Sequence, residues 1–139
     1  MNSSLIFLII AIVAVGLLAL IAMTLTGKHS YTFDIEEYQT RWLKIENSLV
    51  RNDPRTYSIA VINADKLLDR ALNEMGTPGK TMGERLKKVT SKFEKPNAVW
   101  SAHKLRNQIA HESDFEIEYG QASRALAAFR QALKDLGAI

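Results

Sequence analysis

The chain has no cysteine and only three prolines and seven glycines among its 139 residues. Without cysteine there is no disulfide framework, no thiolate nucleophile and no Cys-based zinc site. So little Gly and Pro excludes collagen-like and low-complexity chains and argues against a many-turned all-β fold. No stretch alternates apolar and polar residues between turn signals, as a half-buried strand would. A His-Glu-x-x-His pair, an Asp-rich loop, a Gly-rich phosphate loop and a Gly-x-Ser-x-Gly elbow are also missing. We therefore expect no metal and no cofactor.

What is present is unevenly spread. From Leu5 to Leu25 there are 21 residues without a charge, and Thr24 carries the run's only hydroxyl. As a helix, such a run reaches roughly 31 Å, about one hydrocarbon core. A cleaved signal peptide would need a basic n-region, a shorter apolar stretch and an A-x-A-like site. Met1-Asn2-Ser3-Ser4 is uncharged, and the alanines of Ala19-Leu20-Ile21-Ala22 are wrongly spaced. The expectation is an uncleaved transmembrane anchor over residues 1–25, in contact with the lipid bilayer through residues 5–25. Gly16 has no G-x-x-x-G partner, so this helix carries no dimer motif. A short linker over 26–33 should lead to a helical domain over 34–139, long enough to bury one core.

Periodicity within that domain predicts five helices. Asp34 caps the first, which runs to about Arg51 with Ile35, Tyr38, Trp42, Ile45 and Leu49 on one face. Asp53-Pro54 opens the second, whose broad apolar stripe ends at Met75, with Gly76 as a left-handed stop. Thr81-Met82-Gly83-Glu84 has capping-box form and starts a third, with Met82, Leu86, Val89 and Phe93 facing inward. Lys95-Pro96-Asn97 breaks it, and Asn97 caps a fourth that runs to about His111. The last spans about Ile117 to Leu136 and buries Tyr119, Ala122, Leu126, Phe129, Leu133 and Leu136.

Charge is partitioned as well. The segment from Arg85 to Arg106 holds seven basic residues and one acid, whereas the remainder has 11 basic and 14 acidic residues. Arg85, Lys88, Lys92 and Lys95 recur at helical spacing as a ridge opposite the apolar face, and Lys104 follows on the next helix. Such a ridge serves as a solvated face, as a contact for anionic lipid headgroups, or as a contact for RNA phosphates.

The fourth helix carries the one motif with chemical content, Arg106-Asn107-Gln108-Ile109-Ala110-His111. Here the sequence resembles the HEPN superfamily, marked by Arg, a polar residue, three further positions and then His on a late helix of an all-α bundle. It also resembles small bacterial membrane proteins that join one anchor to such a bundle. The resemblance covers the whole soluble domain. It implies an all-α fold, with one N-terminal transmembrane helix followed by a four- to five-helix HEPN-like bundle. It further implies either a metal-independent endoribonuclease with its site at a dimer interface, or a nucleotide-binding or purely interacting module.

The residues suit RNA cleavage. The 2′-OH of RNA is the nucleophile, His111 can move protons near neutrality, and Arg106 offers a permanently charged fork for phosphate oxygens. Asn107, four residues before His111, is positioned to orient the imidazole or a substrate oxygen. At 100° per residue, Arg106 and His111 point ~140° apart and flank a face of Val99, His103, Asn107 and Ala110 with Trp100 at its edge. Ala98, Ala102, Leu105 and Ile109 lie opposite, as a core face. Val99, Trp100, His103 and Ala110 are therefore expected at a homodimer interface that brings two Arg and two His together. The alternative is a non-catalytic adaptor that recruits a partner to the cytoplasmic membrane.

Basic residues set the orientation of a single-pass anchor. None precedes the apolar run, whereas Lys28, Arg41 and Lys44 follow it, so the N-terminus should lie outside and the domain in the cytoplasm. Protease added to intact spheroplasts is expected to leave the domain whole; its digestion there would reverse the orientation.

Overall fold

Every described element is helical, as periodicity predicted. The computed structural model describes residues 3–25 and 31–139. These divide between two compact units, Met1–Ser30 and Tyr31–Ile139.

The first unit contains α1 (Ser3–Leu25), whose 23 residues correspond to ~35 Å of helix. Its window Ser3–Ala22 has mean hydropathy 3.3, and none of it is buried by other protein. It is the one described helix long and apolar enough to cross a membrane, a test that a signal sequence also passes. Most of the expected linker, Lys28 included, lies outside the described residues.

The second unit holds α2 (Ile35–Ser48), α3 (Arg55–Glu74), α4 (Met82–Val89), a 3-10 turn (Thr90–Lys92), α5 (Pro96–His111) and α6 (Tyr119–Asp135). Helix α3 packs against α2, α4, α5 and α6, and α5 also packs against α6. The core is formed by Tyr38, Val61, Leu68, Leu72, Leu86, Phe129 and Leu133, all essentially without exposure.

Local chemistry explains most of the boundaries. The Asp34 carboxylate accepts the Glu37 N–H at 3.0 Å. Gly76 takes φ 69°. The Gly76 and Thr77 amides then reach back to the carbonyls of Asn73 and Leu72, closing α3 in a Schellman turn. Thr81 Oγ1 accepts the Glu84 N–H at 3.2 Å, but Glu84 Oε2 takes the Lys80 amide at 2.7 Å, so the predicted box is completed one residue upstream.

Several boundaries differ from expectation. The domain begins at Tyr31, not Asp34, because Phe33 is buried and a run of edge-to-face contacts joins Tyr31, Phe33 and Tyr38. Phe33 fills that end of the core, and Ile35 is left half exposed. Pro96 opens α5 at its first turn, so Asn97 lies inside the helix and does not cap it. The last helix starts at Tyr119, where the Glu118 amide donates to Gln121 Oε1 at 2.8 Å.

Helices α2 and α3 are also joined by charge. Arg70 holds both oxygens of Glu37 at 2.9 and 3.0 Å, and Arg41 Nε donates to Glu37 Oε1 at 2.8 Å. These guanidinium bonds, Arg70's first, hold the Glu37 carboxyl at about 2, below its ordinary 4.5. A carboxyl depressed in the folded state contributes stability above its unfolded value, and that stability is lost as pH falls through the folded one. Glu37→Gln is therefore expected to melt below the wild type at pH 7, with the gap closing between about pH 4.5 and 2. A gap independent of pH in circular-dichroism melts would remove Glu37 as its source.

Candidate functional site

Asp65 sits within the apolar stripe of α3, between Val61 and Leu68, and retains 3% exposure. A carboxylate so buried needs compensation. It comes from α5: His103 Nδ1 lies 2.8 Å from Asp65 Oδ1, and Arg106 Nε lies 3.3 Å from Asp65 Oδ2. Asn107 Nδ2 is 3.3 Å from His103 Nε2, and Arg106 Nη1 donates to Asn107 Oδ1 at 3.1 Å. The four side chains close a ring.

The ring forms part of the floor of a groove of about 720 Å³ between α3, α4 and α5. Arg106, Asn107 and His111 all line it, with Trp100, His103 and Lys104. Arg106 and His111 thus reach one cavity from a single helix, although no bond joins them. His111 is exposed at the end of α5, while Arg106 is half-buried against Asp65. Trp100 meets the His103 ring edge-on at 6.1 Å. Gly83 faces both, and a Cβ there would lie 3.7 Å from His103 Nε2 and 3.9 Å from Trp100.

One expected contact of Asn107 is corrected: it bonds His103, four residues before it, and not the His111 imidazole. The expected interface is corrected too. Val99 and His103 are buried within the chain's own fold, at 2% and 7% exposure. Helix α5 is covered on two sides, by α3 and by α6, so the face read as a second surface is already occupied. Of the four residues only Ala110 is exposed, and Trp100 is partly so.

The basic ridge is broken up. Arg85 is buried, and its guanidinium grips Asp69 at 2.7 and 2.9 Å and the Gly79 carbonyl at 2.7 Å. The backbone is tight there, since a Cβ on Gly79 (φ 149°) would come 2.9 Å from the Arg85 nitrogen. Helix α4 stops at Val89 and the chain tightens into the 3-10 turn, which ends the helical spacing that aligned Lys88, Lys92 and Lys95. Those three lysines are exposed but do not line the groove. Lys104 does, together with Lys66, Lys80 and Lys87, which sequence reasoning missed. The groove's other charges include three acids, Asp65, Asp69 and Glu84, of which the first two are engaged by His103, Arg106 and Arg85. Four exposed lysines therefore dominate its rim, an arrangement that favours a polyanion.

No family model, curated protein or solved structure matches the chain.

Arg85 and Lys88 should behave oppositely when truncated. Arg85→Ala leaves Asp69 and the Gly79 carbonyl unpartnered and is expected to destabilise the domain by about 2–3 kcal/mol, less than a fully buried pair because Asp69 is partly solvated. Lys88→Ala should stay within about 0.5 kcal/mol of wild type. Equal effects in urea unfolding would contradict the burial of Arg85.

Proposed function

We propose that this protein is a membrane-anchored, HEPN-like RNA-binding domain that cleaves RNA without a metal, with α1 as its anchor and the α3–α4–α5 groove as its site. The observation that carries the reading is that Arg106 and His111 line one groove whose rim bears Lys66, Lys80, Lys87 and Lys104. Lysines along the rim neutralise successive phosphates, and Arg106 Nη2, which makes no hydrogen bond within the domain, is offered to a phosphate oxygen.

The reaction needs two proton transfers. A base takes the 2′-OH proton as the oxygen attacks the adjacent phosphorus, and an acid protonates the 5′-oxygen as its bond to phosphorus breaks. The products are a 2′,3′-cyclic phosphate and a free 5′-OH. Arg106 stabilises the charge that accumulates on the phosphoryl oxygens. His111 supplies one imidazole. His103 cannot supply the other, because both its ring nitrogens are engaged. The second imidazole is His111 of a second copy, packed on the exposed end of α5 around Ala110, which keeps the homodimer and moves its contact away from Val99 and His103.

The full chain in detergent, incubated with mixed RNA, tests the reading. His111→Ala should lower cleavage by about 10²-fold or more while helicity is unchanged. Arg106→Lys should also be poor, since an ammonium lacks the two-pronged contact. Substrates without the 2′-OH should be inert, EDTA should have no effect, and binding should fall steeply with salt. Cleavage that survives His111→Ala, or that stops with EDTA, overturns the mechanism. Absence of both binding and cleavage favours the adaptor.

A further inference from the structure

The ring of four side chains has a direction. The Asn107 amide donates from Nδ2 to His103 Nε2, because its Oδ1 already accepts from Arg106 Nη1. Nε2 is then an acceptor, so the proton of a neutral His103 is on Nδ1, where it donates to Asp65 Oδ1 at 2.8 Å. The second oxygen of Asp65 lies 3.3 Å from Arg106 Nε and closes the circuit. The three hydrogen bonds of the ring run in one sense only, and the Arg106–Asp65 contact is an ion pair. Flipping the Asn107 amide would set two donors against each other at Arg106 and two acceptors at His103.

From this geometry we infer that Asp65 and His103 are positioning residues of the groove: acting directly and through Asn107, they fix the Arg106 guanidinium with Nη2 turned toward an incoming phosphate. The inference rests on the reading that RNA phosphate enters this groove. Three features of Arg106 support it. Nε is buried 3.3 Å from Asp65 Oδ2, paired with it by charge and without a hydrogen bond, Nη1 donates to Asn107 Oδ1, and Nη2 makes no hydrogen bond within the domain. An arginine free in solvent samples many rotamers and loses that freedom on binding, whereas one already held in place loses little. Asp65 carries the arrangement because it is the buried charge that both His103 and Arg106 compensate.

The test uses the full chain, ¹⁵N-labelled, in detergent micelles. In the wild type, neutral His103 should show a protonated Nδ1 and an acceptor Nε2, and the Arg106 guanidinium should rotate slowly. Asp65→Asn keeps the shape of the side chain but turns an amide toward Arg106, and it should free that guanidinium. His103→Asn keeps a donor for Asp65 but loses the link to Asn107, and should do so in part. With a fluorescein-labelled RNA oligonucleotide, Asp65→Asn should weaken binding about tenfold, the weight of roughly one charge-assisted contact. In an Arg106→Gln background the same substitution should have almost no further effect, because Asp65 acts through Arg106. A purely structural Asp65 would give additive losses, which overturns the inference. So would a freely rotating Arg106, or a His103 protonated on Nε2, in the wild type, whether or not RNA binds. A fixed Arg106 in a protein that binds no RNA supports the positioning and overturns the ribonuclease reading instead.

Discussion

A single buried carboxylate constrains the rest of the domain. Asp65 lies on the central helix among Ala64, Leu67 and Leu68, where an uncompensated charge would be strongly destabilising. Its partners all come from α5, so the carboxylate dictates which face of α5 turns toward α3. One turn along α3, Asp69 receives Arg85 from α4. Acids four residues apart lie on the same side of a helix, and here each secures one wall of the groove. The cavity is therefore defined by two ion pairs on α3 as well as by apolar packing beneath it. Apolar burial supplies most of the driving force for folding, but it is non-directional. The ion pairs supply direction.

This division of labour explains what was readable in the sequence. Helix number, order and inward faces follow from the three-to-four spacing of Tyr38, Trp42 and Ile45, of Met82, Leu86 and Val89, and of Ala122, Leu126, Phe129 and Leu133, which the structure buries as expected. Glycine stops such as Gly76 were legible because only a left-handed conformation closes that turn. The amphipathic pattern misled at α5. A helix covered on two sides has no single apolar face, and spacing alone places Val99 and His103 on an outer surface because they lie away from Ala98, Ala102 and Leu105. Arg85 departs from its pattern for a related reason: its regular spacing from Lys88 describes a ridge, while its buried pairing depends on Asp69, which is 16 residues away.

The candidate site was legible in part. Arg106, Asn107 and His111 were recognisable together, and the groove brings all three to its lining. Asp65 carried a signal that periodicity makes visible, an acid four residues after Val61 and three before Leu68 on an otherwise apolar stripe. Lys66 and Lys80 carried no signal, and Lys87 carried only its place in the basic segment. They come from α3, the loop before α4, and α4 itself, and only tertiary folding sets them around one cavity. Local spacing reports which residues share a helix face; it does not report which helices meet.

Besides its exposed end at Ala110 and His111, the doubly covered α5 leaves a narrow strip free. Asn97, Ser101, Lys104 and Gln108 are exposed at steps of four, three and four, between the side that meets α3 and the side that meets α6. None of them contributes to the buried core. Lys104 alone of the four lines the groove, so charge there and along the strip leading from it can be retuned, by mutation or by design, while the packing that shapes the groove stays as it is. On this helix, substitutions at Val99, Ala102 or His103 change the architecture, and those on the strip change only the field that a ligand meets.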